Sequence, residues 1–153
     1  MRRKDREKDK KFALDVLGGC EYAVLATVNA DNTPYCIPIS PVLTGEIIYF
    51  HCAGEGKKID NIKQNSSVCL TGVRNTKLIP EKFTTEYESA VAFGKCEIVE
   101  NEKEKIKALE MICEKYAKDA EGTAGQIKKY LNRTGIWKIV IEEITGKENK
   151  NTP

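Results

Sequence analysis

The chain has 153 residues, 31% of them charged and 41% hydrophobic, with a formal net charge of +2. That length fits one soluble domain with a sizeable core. The near-neutral balance gives no electrostatic case for nucleic acid, and no apolar run approaches the ~20 residues a membrane span needs.

The first eleven residues (M-R-R-K-D-R-E-K-D-K-K) interleave acid with base, so they read as a solvated arm or helix and not as a nucleic-acid tail. They hold no apolar core or small-residue cleavage site, so no secretion signal is expected. Phe12, Ala13, Val16 and Leu17 recur at helical spacing, and Gly18 and Gly19 end that helix. Residues 22–28 (Y-A-V-L-A-T-V) have the content of a strand, residues 29–33 are turn chemistry, and residues 34–40 return as the second arm of a hairpin. Pro38 and Pro41 cannot donate to a ladder, so that arm must be an edge or bulged where they fall.

Residues 46–65 (E-I-I-Y-F-H-C-A-G-E-G-K-K-I-D-N-I-K-Q-N) are the most informative stretch. An apolar strand ends at His51, the only histidine. Gly54 and Gly56 follow, then Lys57 and Lys58, then a short helix with Ile59 and Ile62 on one face. Free amides at a helix start beside two ammonium groups suit a phosphate, although a solvated strand-to-helix turn has the same composition. It is not a P-loop, because the Gly-x-x-x-x-Gly-Lys-Ser/Thr spacing is missing.

Further on, residues 67–73 form a strand, residues 74–85 are polar and irregular, and residues 87–99 form a long strand with Gly94 at a bulge or bend. Asn101 with Glu104 starts a helix in the manner of a capping box, with Ile106, Leu109, Cys113 and Tyr116 on one face. Residues 119–125 are a polar loop and 126–132 one or two helical turns. Residues 135–144 are the last strand, with Trp137, Ile139 and Ile141 on one face. Six strands at hairpin spacing, with helices as inserts, predict a mainly β (α+β) antiparallel barrel with peripheral helices. Residues 1–147 form the single domain and 148–153 a polar tail.

The six cysteines include no C-x-x-C pair, and with one histidine no metal site is expected. They lie mostly within apolar patterns, as reduced thiols do, so the chain reads as cytoplasmic. No Ser-His-Asp arrangement can be assembled, which argues against hydrolysis.

Three stretches together resemble a known family: residues 22–39 (Y-A-V-L-A-T-V-N-A-D-N-T-P-Y-C-I-P-I), 48–62 (I-Y-F-H-C-A-G-E-G-K-K-I-D-N-I) and 88–97 (E-S-A-V-A-F-G-K-C-E). The pattern is similar to the pyridoxamine-phosphate-oxidase-like flavoproteins, and within them to the Nim-type 5-nitroimidazole reductases. The closing W-K-I-x-I-E-E-I-T-G-K resembles the same branch. The resemblance implies a split β-barrel that forms a homodimer with FMN at the subunit interface. By motif, Tyr35, Cys36, Ile37, Pro38, Ile39 and Ser40 would run along the isoalloxazine and ribityl chain through backbone groups. His51 and Cys52 would lie near the flavin, Lys57 and Lys58 would take its phosphate, and Ser89 would offer a polar side chain.

The chain departs from the oxidases proper. They carry arginine at the first paired phosphate position, glutamine where Ser89 stands, and basic substrate residues where this chain has Glu142 and Glu143. These departures argue against oxidation of pyridoxamine phosphate. The resemblance implies instead an FMN-dependent oxidoreductase passing electrons to a small acceptor such as a nitroimidazole or nitroaromatic compound. The electrons would come from transiently docked NAD(P)H or from a redox protein, since no second nucleotide-binding fingerprint is present. The alternatives are an FMN- or haem-binding carrier or sensor without turnover, and a pyridoxamine-phosphate-oxidase-related enzyme with another substrate.

His51 is the candidate catalytic residue, as a hydrogen-bond or proton donor to flavin or substrate; a lone strand-end histidine can equally be structural. Cys52 has no second histidine to activate it and reads as a packing residue. Trp137 either covers the flavin from the partner subunit or fills the core.

Overall fold

The computed structural model describes residues 2–118, 127, 131 and 134–150. A 3-10 turn at Lys4–Arg6 leads into β1 (Glu7–Lys8), α1 (Lys10–Gly19), β2 (Ala23–Val28), β3 (Pro34–Ile39), β4 (Val42–Thr44) and β5 (Ile47–Cys52). Then come α2 (Lys57–Gln64), β6 (Ser67–Ile79), β7 (Thr84–Ile98), α3 (Glu102–Tyr116) and β8 (Gly135–Asn149). The strands form one antiparallel sheet in the order β3-β2-β6-β7-β8-β5-β4, with β1 added beside β8.

The sheet curls without closing. Its two ends are β3 and β4, and only Ser40 and Pro41 separate them in the chain. The split falls where the prolines require it: Pro38 sits on edge strand β3, where a missing N–H costs no ladder bond. Pro41 itself is buried, and its carbonyl accepts from Lys115 Nζ at 2.8 Å and from Tyr116 Oη at 2.9 Å. The C-terminal end of α3 is thereby tied to the split.

Alternation builds the interior. Ala23, Leu25 and Thr27 point inward opposite Ile39, Ile37 and Tyr35. They join Ile48, Phe50, Leu70, Ala92, Ile139 and Ile141 in the main core, which Ala13, Val16 and Leu17 of α1 also enter. A second cluster lies under α3, where Tyr49, Val42 and Ile136 meet Ala108, Leu109 and Ile112. Gly94 sits at the register shift between β7 and β8, where a Cβ would collide with the Val140 carbonyl.

Several expectations need correction. Eight strands form where six are expected, because β1 and β4 are too short to show alternation. Residues 74–85 are not irregular. They are the ends of the β6–β7 hairpin, joined by a 3-10 turn at Pro80–Lys82. Their exposure removes the apolar period, and the ladder alone specifies them through Lys77–Glu86, Leu78–Thr85 and Ile79–Thr84. The last strand runs on to Asn149, so Glu148 and Asn149 pair with β7 and are not tail. Asn101 does cap α3, accepting from the Glu104 amide at 3.0 Å. The Glu104 carboxylate does not return to the cap; it accepts from Tyr49 Oη at 2.8 Å. The buried face of α3 is Ala108, Leu109 and Ile112, with Tyr116 39% exposed. The expected loop at 119–125 lies outside the described residues. Of the expected turns at 126–132 only Ile127 and Leu131 are described, the Leu131 amide donating to the Ile127 carbonyl at 2.9 Å.

Candidate functional site

The strand-to-helix turn takes the form its glycines allow. Gly56 precedes α2 with φ 129°, a conformation that L side chains rarely adopt, and it offers the helix no side-chain cap. Two contacts seat the helix. Ile59 and Ile62 enter the main core. Asn61, only 5% exposed, donates to Thr27 Oγ1 at 3.0 Å and to Asn29 Oδ1 at 2.9 Å, which ties α2 to the β2–β3 hairpin.

The result is two cations held beside β3. Lys57 Nζ lies 5.4 Å from the centre of the Tyr35 ring, within reach of a cation–π contact. Asp31, kept below the usual carboxylate range mainly by hydrogen bonds from Thr33, also feels Lys57. Lys58 is half-buried, and neither ammonium forms an ion pair among the described residues. Burial pushes the Cys52 thiol up, and the nearby Lys58 opposes that shift.

At the split, Pro38, Ile39, Ser40, His51 and Lys58 line one open pocket of about 310 Å³, together with Tyr22. Five of the sequence-predicted residues thus meet, although they come from three separate segments. His51 is exposed at the end of β5, its backbone paired with Ile136 of β8. Lys57 and Tyr35 contact each other but do not line the pocket.

The other candidates lie apart from the pocket. Cys36 points outward and is exposed, Ile37 points inward, and Cys52 is 8% exposed within the main core. Trp137 is 4% exposed and packs in the same core, its Nε1 without a hydrogen-bond partner among the described residues. Ser89 pairs with Lys147, near the other end of β8 from Ile136, and its Oγ donates to the Lys147 carbonyl at 3.5 Å.

Tyr22 is the lining residue that sequence reasoning passes over. It is 61% exposed, although it opens an apolar strand. The signal is present: with Ala23, Leu25 and Thr27 facing inward, period two turns Tyr22 outward beside Ser40. Among the described residues no group of three or more His, Cys, Asp or Glu side chains is placed to hold a metal, and no helix is long and apolar enough to cross a membrane.

Comparison with known proteins bears on the family and the fold. The family profile of pyridoxamine 5'-phosphate oxidase matches residues 9–148. No sequence match is found among curated proteins. Among solved structures, the chain is similar to a candidate 5-nitroimidazole antibiotic resistance protein from Bacteroides thetaiotaomicron VPI-5482. The two are 26% identical with a TM-score of 0.76, covering 92% of this chain and 84% of the other. It shares the fold of the flavocytochrome Anf3 from Azotobacter vinelandii, at 17% identity and TM-score 0.82, over 100% of this chain and 73% of that one. It also shares the fold of an FAD- and heme-binding protein from Mycobacterium smegmatis, at 16% identity and TM-score 0.79, over 97% and 75% of the two chains.

Proposed function

This chain belongs to the pyridoxamine 5'-phosphate oxidase family, and from that premise we propose that it is an FMN-dependent reductase of small acceptors, nitroimidazoles or other nitroaromatic compounds among them. The observation that carries this reading is the convergence of Lys58, His51 and the edge residues Pro38, Ile39 and Ser40 on one pocket.

The residues fit the cofactor. The FMN phosphate carries a charge of roughly −2, and Lys57 and Lys58 at the start of α2 form no ion pair among the described residues. Strand β3 has one edge free of any ladder, so its unpaired backbone groups are available to hydrogen-bond a planar ring laid along it. FMN, when bound, supplies the electron transfer between a reduced donor and the acceptor. The protein's part is to hold the phosphate, orient the ring and place His51 at the open side. From there the imidazole donates a hydrogen bond or a proton toward an acceptor that gains negative charge.

We infer that the unit is a homodimer with the flavin at its interface. The outer face of the sheet supports this. Val24, flanked by Pro38 and Thr71, and Ala26, flanked by Cys36 and Cys69, continue across β6 to Val91 and Phe93 of β7. Solvent faces of antiparallel sheets are ordinarily polar, and here Phe93 is 46% exposed. A second copy on this face would cover the apolar rows and wall the pocket from its open side. The setting we infer is the cytoplasm, where six free cysteines stay reduced and NAD(P)H or a reduced redox protein is at hand.

The test is direct. Added FMN should give a bound flavin spectrum at one per chain. Anaerobic reduction by NADPH or a reduced donor protein, followed by a nitroimidazole, should return the oxidised spectrum. Absence of flavin binding, or a reduced flavin that the nitroimidazole leaves unchanged, refutes the reading. A second reading, a flavin- or haem-binding module that senses or stores without turnover, draws on His51, the only imidazole and an exposed one. It also draws on the flavin- and haem-binding proteins that share the fold. A haem absorption band on adding haemin, abolished by His51→Ala, would favour it.

A further inference from the structure

Tyr22 has a second concavity on its other side. Continuing the Ala23–Ile39 and Ala23–Gly72 pairs by one residue sets Tyr22 between Ser40, just past β3, and Val73 of β6. The ring therefore divides the His51 pocket from a larger hollow of about 550 Å³, lined by Glu21, Val73, Arg74, Asn75 and Thr76 as well as Tyr22. Tyr22 and Val73 are its apolar members, Val73 being 46% exposed, and its other side chains are polar. Strand β6 makes room for it by slipping register between Arg74 and Lys77, with Asn75 in a left-handed conformation at φ 53°. Bulges of this kind lift side chains out of a ladder and re-aim them.

The charge of the hollow is opposite in sense to that of the α2 side. Arg74 is engaged at every nitrogen: Nε donates to Glu88 at 2.7 Å, Nη1 to the Asp15 carbonyl at 2.9 Å and Nη2 to the Asp15 carboxylate at 2.5 Å. Glu88 also takes Lys150 Nζ at 3.8 Å, so Asp15 and Glu88 balance Arg74 and Lys150, and Glu21 on the rim is the carboxylate left over. Anions belong beside Lys57 and Lys58, and this side disfavours them.

We propose that the hollow is a second binding subsite, for a small planar aromatic molecule that is neutral or cationic. Its ring lies against Tyr22 and Val73, and its polar substituents meet Glu21 and Thr76. On the flavin reading, which this inference rests on for the occupant of the neighbouring pocket, the subsite delivers the acceptor across Tyr22 and selects it by charge. Stacking on an exposed tyrosine supplies shape-tolerant attraction, and Glu21 supplies the discrimination.

Three probes of one shape test it: p-nitrobenzamide (neutral), p-nitrobenzamidine (cationic) and p-nitrobenzoate (anionic). Each is titrated calorimetrically into the full chain, with and without FMN. The neutral and cationic probes should bind, with p-nitrobenzoate weaker by about two- to fivefold. Glu21→Lys should reverse that order. Thr76→Trp should weaken all three by about tenfold or more by filling the hollow. Glu21 and Thr76 are both exposed, so neither change threatens the fold, and FMN titrations of both variants should match the unsubstituted protein. Affinities independent of probe charge, or unmoved by Glu21→Lys and Thr76→Trp, overturn the subsite. The two readings fail separately. Loss of the flavin reading shows in the FMN titration alone, and the FMN-free probe titrations still decide the subsite.

Discussion

The proposed phosphate seat gives the sharpest prediction, because the two lysines differ in how they are held. Lys58 is half-buried and lines the pocket with His51 and Ser40, whereas Lys57 is exposed and leans over Tyr35 at 5.4 Å. A charge-assisted hydrogen bond contributes about 1.5–3 kcal/mol, and about 1.4 kcal/mol is a factor of ten in affinity. Lys58→Ala should therefore weaken FMN by about ten- to a hundredfold. Lys57→Ala should fall at or below the lower end of that range, because its solvated ammonium is screened. The double variant should lose about a hundredfold or more. Neither change threatens the helix, since α2 is seated by Ile59, Asn61 and Ile62 and alanine is a better helix former than lysine. Riboflavin, which has the ring but no phosphate, is the control: its affinity should stay within about threefold in every variant. Flavin fluorescence quenching reads both ligands on the same samples. If FMN and riboflavin weakened in parallel, or FMN held its affinity in the double variant, the cations would not be the phosphate site.

Three further outcomes follow from the same geometry. His51→Ala should leave FMN bound while slowing reoxidation by a nitro acceptor by about ten- to ten-thousandfold per bound flavin, read by single-turnover absorbance. Equal rates would make His51 a structural residue. Asn61→Ala removes both buried bonds between α2 and the β2–β3 hairpin, and should cost about 1–3 kcal/mol in urea unfolding and weaken FMN as the lysines shift. Asp60→Ala, exposed on the same helix, should do neither. The Glu104 carboxyl lies below its ordinary 4.5 through the hydrogen bond from Tyr49 and then that from Lys138, so its contribution is full above pH 4.5 and is lost as pH falls through the lowered value. Glu104→Gln should accordingly destabilise the neutral-pH protein by about 1 kcal/mol, with the gap in thermal midpoint closing under acid.

The outcomes above depend on features that the sequence reveals unequally, and the reason is the range over which each is specified. The turn at Gly54 and Gly56, the lysine pair and the Ile59/Ile62 face are local, so adjacent residues announce them and the structure reproduces them. The edge character of β3 was legible for a similar reason, since a proline's missing N–H constrains the ladder wherever the strand lies. The arms of the β6–β7 hairpin carry no such mark. They are mostly polar with no apolar period, and what keeps Lys77 opposite Glu86 is a pairing across the turn at Pro80–Lys82 that no window along the chain contains. Residues such as Tyr22 and Asn61 fall between these cases. Period two turns Tyr22 outward, but only the β2–β3 register shows that it stands beside Ser40 and divides two hollows. Nothing in the run K-K-I-D-N-I-K marks Asn61 as buried. The hairpin buries Thr27, whose hydroxyl donates to the Tyr35 carbonyl at 3.3 Å, and Asn61 of α2 supplies the donor that the same oxygen accepts. The lysine pair is therefore readable from its neighbours, while the residue that ties α2 to the β2–β3 hairpin answers to partners more than thirty positions earlier in the chain.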